Sequence, residues 1–192
     1  MNANETLKES TGVFNNALAV KGAYSLRWHA GLVPTQAAAA LADTDNAQLL
    51  AAESSMDESM AAEALKDESP HLALELHRLE LKVNVLLKIC GELLAREHRL
   101  PAPRMARISA VGLECEADES MKSGERGVIE LWVNRSLPYS LRFQAVIDSE
   151  RILPAGRMVH IRFEAVSDAV SDQLSKLIFR KHRRLVALAR HA

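Results

Sequence analysis

A strict alternation of three- and four-residue steps between apolar side chains is the feature that most limits how this chain can fold. It extends from Ser69 to Arg99, just ahead of Pro101. Side chains at that spacing lie on one stripe of an α-helix, and a 3.5-residue repeat keeps the stripe facing a partner helix over several turns. The stripe consists of Leu72, Leu76, Leu79, Val83, Leu86, Cys90 and Leu93. We therefore expect a helix that joins copies of the chain, although a single amphipathic helix packed on its own domain would show the same periodicity.

The predicted helix has signals at both ends. Ser69 is a residue type favoured at the N-cap, and Pro70 suits the first helical position, where a missing N–H costs nothing. Arg96 and Arg99 lie near the C-terminal end, where the helix dipole favours positive charge. At about 1.5 Å per residue the helix would be ~45 Å long. It is therefore longer than the core of one small domain requires.

The apolar stripe is also wider than a two-stranded coiled coil needs. Leucine at d with a branched residue at a would suit a dimer. However, Leu87, Ile89 and Leu94 add apolar side chains at the flanking e and g positions. A wider stripe requires more partner helices to cover it. We therefore predict a homo-oligomer, with a tetramer favoured over a trimer or a dimer, and leave the strand direction open.

Composition and charge exclude several classes of protein. The chain has 192 residues and 48% hydrophobic side chains, enough for one compact domain with helical extensions. Its net charge is −1, and residues 101–192 hold 15 basic and 11 acidic side chains, too small an excess for a typical nucleic-acid-binding domain. Two cysteines cannot form a disulfide framework, which points to a reducing compartment. No apolar run is long enough to span a membrane. We expect a cytoplasmic protein that binds no nucleic acid and inserts into no membrane.

The composition divides the chain into three segments. We predict a helical or irregular N-terminal extension over residues 1–68, the heptad-repeat helix over residues 69–100, and a separate domain over residues 101–192. In the first segment, helices are expected from Pro34 toward Ala52 and from about Asp57 to Lys66. An apolar and aromatic stretch precedes them, and we expect it to dock on the chain's own C-terminal domain. This stretch contains Tyr24, Leu26, Trp28, Leu32 and Val33.

After Pro103 the apolar periodicity changes from helical to extended. Short strands are expected at residues 104–109, 113–117, 127–133, 139–148 and 157–164, separated by glycine and proline. A final helix is expected over residues 168–189. Strands at this spacing with one closing helix predict an α+β domain built on a small antiparallel β-barrel.

The order of these elements resembles a PilZ domain over about half of the chain. The resemblance rests on the segment Arg107-Ile-Ser109-Ala-Val-Gly112-Leu113, the strands QAVIDSERI and MVHIRFEAVS, and the helix LSKLIFRKHRR. It implies bacterial cyclic di-GMP signalling, with outputs such as motility, surface behaviour or virulence. In standard members of that family, an Asp/Asn-x-Ser-x-x-Gly motif and a preceding Arg-x-x-x-Arg pair together hold the dinucleotide.

The match to this ligand motif is partial. Ser109 and Gly112 stand at the Ser and Gly positions, but Arg107 replaces the Asp or Asn. No Arg-x-x-x-Arg pair precedes the motif; Arg78 and Lys82 have that spacing but lie within the heptad helix. Paired guanidiniums would make bidentate contacts to phosphate, and this pair is missing. We therefore expect the barrel to keep the PilZ fold and not to bind cyclic di-GMP. Arg104, Arg107, Ser109 and Gly112 remain candidates for a degenerate site. The alternative is that Ser109 hydrogen-bonds within its turn and Gly112 supplies a positive φ.

No residue pattern indicates catalysis. The chain contains no nucleophile elbow or phosphate-binding glycine loop. The seven histidines lack metal-ligand spacing, and they are His29, His71, His77, His98, His160, His182 and His191. We therefore expect no enzyme, metal or cofactor, and predict a regulatory or adaptor module that contacts another signalling or motility protein. The alternatives are a true cyclic di-GMP receptor with a rearranged site and a structural scaffold.

Overall fold

The structure, a computed structural model, describes residues 17–57, 70–97, 100–134, 139–154 and 156–191. Its strands are β1 (Ala19–Ala30), β2 (Arg104–Ser109), β3 (Gly112–Glu116), β4 (Arg126–Trp132), β5 (Leu141–Leu153) and β6 (Gly156–Glu164). Its helices are α1 (Gln36–Asp57), α2 (Pro70–Glu97) and α3 (Asp168–His191). The helix predicted from about Asp57 to Lys66 lies almost entirely outside the described residues.

The six strands form one closed antiparallel barrel in the order β1-β2-β3-β6-β5-β4. Strand β1 closes it, because its first half pairs with β2 and its second half with β4. Closure leaves no sheet edge open along the middle of the barrel. The predicted α+β class, with an antiparallel PilZ-type barrel and a C-terminal helix, is confirmed.

Strand β1 requires a correction to the predicted division of the chain. Residues 1–68 were assigned to a helical or irregular extension and residues 101–192 to the barrel, yet Ala19–Ala30 is a barrel strand. The physical reason is its period-two pattern, which buries Val20, Tyr24, Leu26 and Trp28 in the core. The expected docking of this stretch on the C-terminal domain is correct for the two aromatics and Leu26. Leu32 and Val33 follow the strand and are exposed.

Helix α3 packs its apolar face against the barrel. Val170, Leu174, Leu177 and Ile178 are buried at helical spacing and join the barrel core. Ser167 caps the helix, since its Oγ accepts a hydrogen bond from the backbone N–H of Val170 at 3.3 Å. The cap and the buried face together fix where the helix begins and which side faces the strands.

Helix α1 is attached to β5 through one buried side chain. Asn46 Nδ2 donates to the carbonyl oxygen of Arg142 at 2.8 Å, and Asn46 Oδ1 accepts from the backbone N–H of Arg142 at 2.9 Å. One turn further along the helix, Leu50 is buried in the core cluster. Helix α1 therefore lies in a fixed position against the outer surface of the barrel.

Candidate functional site

Ser109 ends β2 and is fully buried. Its Oγ donates to the carbonyl oxygen of Gly112 at 3.1 Å and accepts from the backbone N–H of Val111 at 3.2 Å. These two contacts close the turn between β2 and β3. The Ser109 hydroxyl therefore hydrogen-bonds within its own turn, which is the structural role that the sequence offered as the alternative to ligand binding.

Gly112 begins β3, and its role differs from the one expected. The positive φ predicted for it is wrong, because the described residues with positive φ are Gly31, Gly124, Gly156 and Ala165. Instead, a Cβ added at Gly112 would lie 2.3 Å from the carbonyl oxygen of Ile161 on the neighbouring strand β6. Glycine is required here because two backbones approach closely, which is a requirement of the fold.

Arg104 begins β2 and binds groups of its own barrel rim. Its Nη1 lies 3.3 Å from the carbonyl oxygen of Glu116 and 3.4 Å from Asp118 Oδ2. Burial alone would raise the pKa of Asp118, but hydrogen bonds from Ser120 and the charge of Arg104 outweigh it and hold that pKa below its usual value. The carboxylate is therefore ionised at neutral pH and keeps Arg104 at the rim.

The structure does not bring the two arginines of the candidate motif together. Arg104 and Arg107 are three residues apart on one strand, and side chains at odd separations in a strand point to opposite faces. Arg107 lies in register between Lys21 of β1 and Glu114 of β3. Arg104 and Arg107 therefore lie on opposite faces of β2, an arrangement that does not suit a two-arginine clamp on one phosphate.

Helix α2 carries the predicted heptad stripe on its surface. Leu72, Leu79, Val83, Leu86 and Leu93 are each 50–60% exposed in the single chain. Cys90 is also exposed, and Leu76 is partly buried. A monomeric soluble protein rarely exposes so long an apolar row. The helix therefore presents the surface that an oligomer would cover.

A second set of apolar side chains on α2 was not included in the predicted stripe. Leu74, Leu81 and Val85 are each at least half exposed. Counting 100° per residue places them on the side of the helix opposite Leu72. The same 100° count, applied to the sequence, would have identified this second apolar side of the helix. The apolar surface of α2 is thus larger than one stripe.

Two further findings bear on the function classes. Within the part of the chain that the structure describes, no group of three or more His, Cys, Asp or Glu side chains is placed to hold a metal ion. None of the described helices combines the length and apolar character needed to cross a membrane.

The chain is similar to a known protein family. The sequence model of the atypical PilZ domain, described as a cyclic di-GMP receptor, matches residues 49–191. A comparison with curated protein sequences gives no match.

One of three similar solved structures shares the fold over nearly the whole chain, and the other two align over less than half of it. The first is a pathogenic protein from Xanthomonas campestris, described as a tetrameric PilZ domain self-assembled through an unusual helical bundle. It is 21% identical to this chain, with a TM-score of 0.69, and the match covers 92% of this chain and 94% of that one. YcgR from Escherichia coli in complex with c-di-GMP is 24% identical with a TM-score of 0.38, covering 47% and 41%. A Bacillus subtilis inhibitor of motility is 16% identical with a TM-score of 0.37, covering 43% and 42%.

Proposed function

We propose, because the chain belongs to the atypical PilZ domain family, that it is a non-catalytic regulatory or adaptor protein of bacterial cyclic di-GMP signalling. In this role it is an oligomer joined by α2 that contacts another signalling or motility protein. It does not bind cyclic di-GMP at the degenerate motif. Motility, surface behaviour or virulence would be the output.

One observation carries the part of the proposal that concerns the ligand. The residues at the motif positions contact one another or the barrel rim: Ser109 with Gly112, and Arg104 with Asp118. Each charge-assisted contact that a ligand phosphate would lack is worth ~1.5–3 kcal/mol. Losing two of them changes a micromolar dissociation constant to roughly the millimolar range.

Exposure of α2 supports the oligomeric part. Full burial of a leucine contributes about 1.5–3 kcal/mol, so covering side chains that are now half exposed contributes roughly 1 kcal/mol each. Over the stripe this sums to several kcal/mol per helix. The tetrameric assembly described for the Xanthomonas campestris protein favours four strands.

Isothermal titration with cyclic di-GMP tests the ligand claim. We expect no saturable heat with the dinucleotide at up to about 100 μM. Arg107→Asp restores the Asp-x-Ser-x-x-Gly pattern without restoring an arginine pair, so it should also fail to bind. A micromolar or tighter dissociation constant for the wild type would instead establish the alternative, a receptor with a rearranged site, which the family's description as a receptor favours.

Light scattering after size exclusion tests the assembly. We expect a tetramer for the wild type and a monomer for Leu79→Lys combined with Leu86→Lys, because each lysine would bury an unpaired charge in the stripe. Asn84→Lys adds the same charge on the polar side of α2 and should leave the tetramer intact. A wild-type monomer at micromolar concentration contradicts the proposal, and a trimer or dimer corrects the strand number.

A pull-down from cell extract separates an adaptor from the remaining alternative, a structural scaffold. The full chain is used as bait, and the monomeric lysine variant serves as the comparison. An adaptor recovers a specific signalling or motility protein with the wild type. Recovery of no protein beyond the bait itself would favour the scaffold.

A further inference from the structure

A cleft of about 820 Å³ lies between helix α1 and the outer surface of strands β1, β4 and β5. Its lining includes Arg27, Glu130, Trp132 and Arg142 from the strands and Leu49 from α1. The volume falls in the range of small-molecule sites, roughly 300–1,000 Å³. The degenerate motif at the β2–β3 turn takes no part in it. We propose that this cleft binds a small anion bearing a planar aromatic ring, of the size of a nucleoside monophosphate.

The strand floor of the cleft holds two guanidiniums and one carboxylate, and Asp45 of α1 adds a second carboxylate to the opposite wall. Arg27, Glu130 and Arg142 are register partners across three adjacent strands, so their side chains form one row. Glu130 lies 3.6 Å from Arg27 Nη1, 3.4 Å from Arg142 Nε and 3.3 Å from His29 Nε2. The Glu130 carboxylate therefore contacts two guanidiniums and an imidazole. An incoming phosphate would therefore bind on the strand side, where the guanidiniums outnumber the carboxylate, and away from Asp45.

Both guanidiniums keep donors for a ligand. Tight ion pairs have N–O distances of about 2.7–2.9 Å and often two parallel contacts. The contacts of Arg27 and Arg142 to Glu130 are longer and use one nitrogen each, with side chains 44% and 63% exposed. Because a guanidinium carries five N–H donors, each arginine can bind phosphate oxygen without giving up Glu130.

Trp132 holds Arg27 in position to receive an aromatic ring. The guanidinium carbon of Arg27 lies 5.7 Å from the centroid of the Trp132 ring, a cation–π distance. Trp132 is itself buried, whereas Arg27 is open to the cleft. Planar bases stack on guanidinium groups as well as on aromatic rings. Arg27 is therefore the surface for the base, and Arg142 is the group for the phosphate.

The test uses isothermal titration and tryptophan fluorescence on the full-length protein. The probes are GMP and AMP, with ribose 5-phosphate lacking the ring and guanosine lacking the phosphate. We expect saturable binding of a monophosphate below about 1 mM, at least tenfold weaker binding of the two truncated probes, and a change in fluorescence. A tenfold change corresponds to about 1.4 kcal/mol.

Arginine variants locate the binding. Arg27→Gln and Arg142→Gln should each weaken binding at least tenfold, and Arg142→Lys should restore only part of the affinity because it keeps the charge and loses the planar fork. Arg162→Gln is the matched control, since Arg162 forms a similar loose pair with Asp148 at 3.4 Å away from the cleft. Its affinity should equal that of the wild type.

Two results would overturn the proposal: no saturable binding of either monophosphate at 10 mM, or equal weakening by Arg142→Gln and Arg162→Gln. If circular dichroism shows that Arg27→Gln does not fold, the more exposed Arg142 decides alone. A failure here leaves the proposed function unaffected, since the adaptor role depends on α2 and on the absence of a site at the motif.

Discussion

Replacing Asn46 with alanine tests how α1 is attached to the barrel. Arg142 lies two residues before the point where β5 and β6 begin to pair, at Gln144 and Glu164. The Asn46 carboxamide binds both backbone groups of Arg142 as a neighbouring strand would, at 2.8 and 2.9 Å, and residue Asn46 is 2% exposed. Alanine would leave one N–H and one C=O of β5 without these partners in a site that water reaches poorly.

The size of the effect follows from those two bonds. An intramolecular hydrogen bond contributes about 0.5–1.5 kcal/mol net, and a buried polar group left unsatisfied costs about 1–3 kcal/mol. We therefore expect Asn46→Ala to lower the free energy of unfolding by about 2–4 kcal/mol. At roughly 2–4 °C per kcal/mol for a chain of this size, Tm should fall by about 5–15 °C.

Urea and thermal unfolding followed by circular dichroism measure this loss, at one protein concentration because oligomerisation shifts apparent stability. Asn46→Asp should be at least as damaging, since it replaces the donor with a carboxylate oxygen facing a carbonyl. Asn84→Ala removes the same side chain from an exposed position of α2 and should change stability by less than about 0.5 kcal/mol. A loss below about 1 kcal/mol for Asn46→Ala would refute the reasoning.

Three further predictions concern the barrel and its thiols. Gly112→Ala should lower the free energy of unfolding by about 1–3 kcal/mol in urea titrations, because its methyl group would lie 2.3 Å from the carbonyl oxygen of Ile161; an unchanged midpoint would contradict this. Burial lowers the pKa of His160 more than the neighbouring carboxylates raise it, so below the usual value of 6.5 the unfolded chain binds more protons than the folded one and the folded state loses stability on acidification. His160→Gln should therefore make Tm less dependent on pH between 7.5 and 5, and parallel curves of Tm against pH for the two proteins would count against this account. Burial also raises the pKa of Cys115 to about 12, whereas Cys90 is exposed. In the folded monomeric lysine variant at pH 8, mass spectrometry should therefore find a thiol reagent on Cys90 but not on Cys115, and labelling of both would be inconsistent with a closed barrel.

The local elements that follow β1 could largely be predicted from the sequence. Strand β2 (Arg104–Ser109) coincides with its prediction, and α2 and α3 begin at the predicted residues 70 and 168. These elements were recoverable because the period of apolar side chains along a continuous stretch determines which face can be buried. The partial motif was equally visible, since a missing arginine pair is a property of the sequence.

What each residue contacts was decided by the tertiary structure. The alternation in β1 is present in the sequence, but its pairing with β2 joins residues that are more than seventy positions apart, and nothing local encodes that register. The same holds for Gly112, whose constraint comes from Ile161 on another strand, and for the cleft, which combines β1, β4, β5 and α1. The sequence by itself determined the helices and strands that follow β1 and the apolar stripe of α2, because periodicity is a local property. Only closure of the barrel placed Arg27 and Arg142 around one carboxylate, because contacts between distant segments depend on strand register and packing.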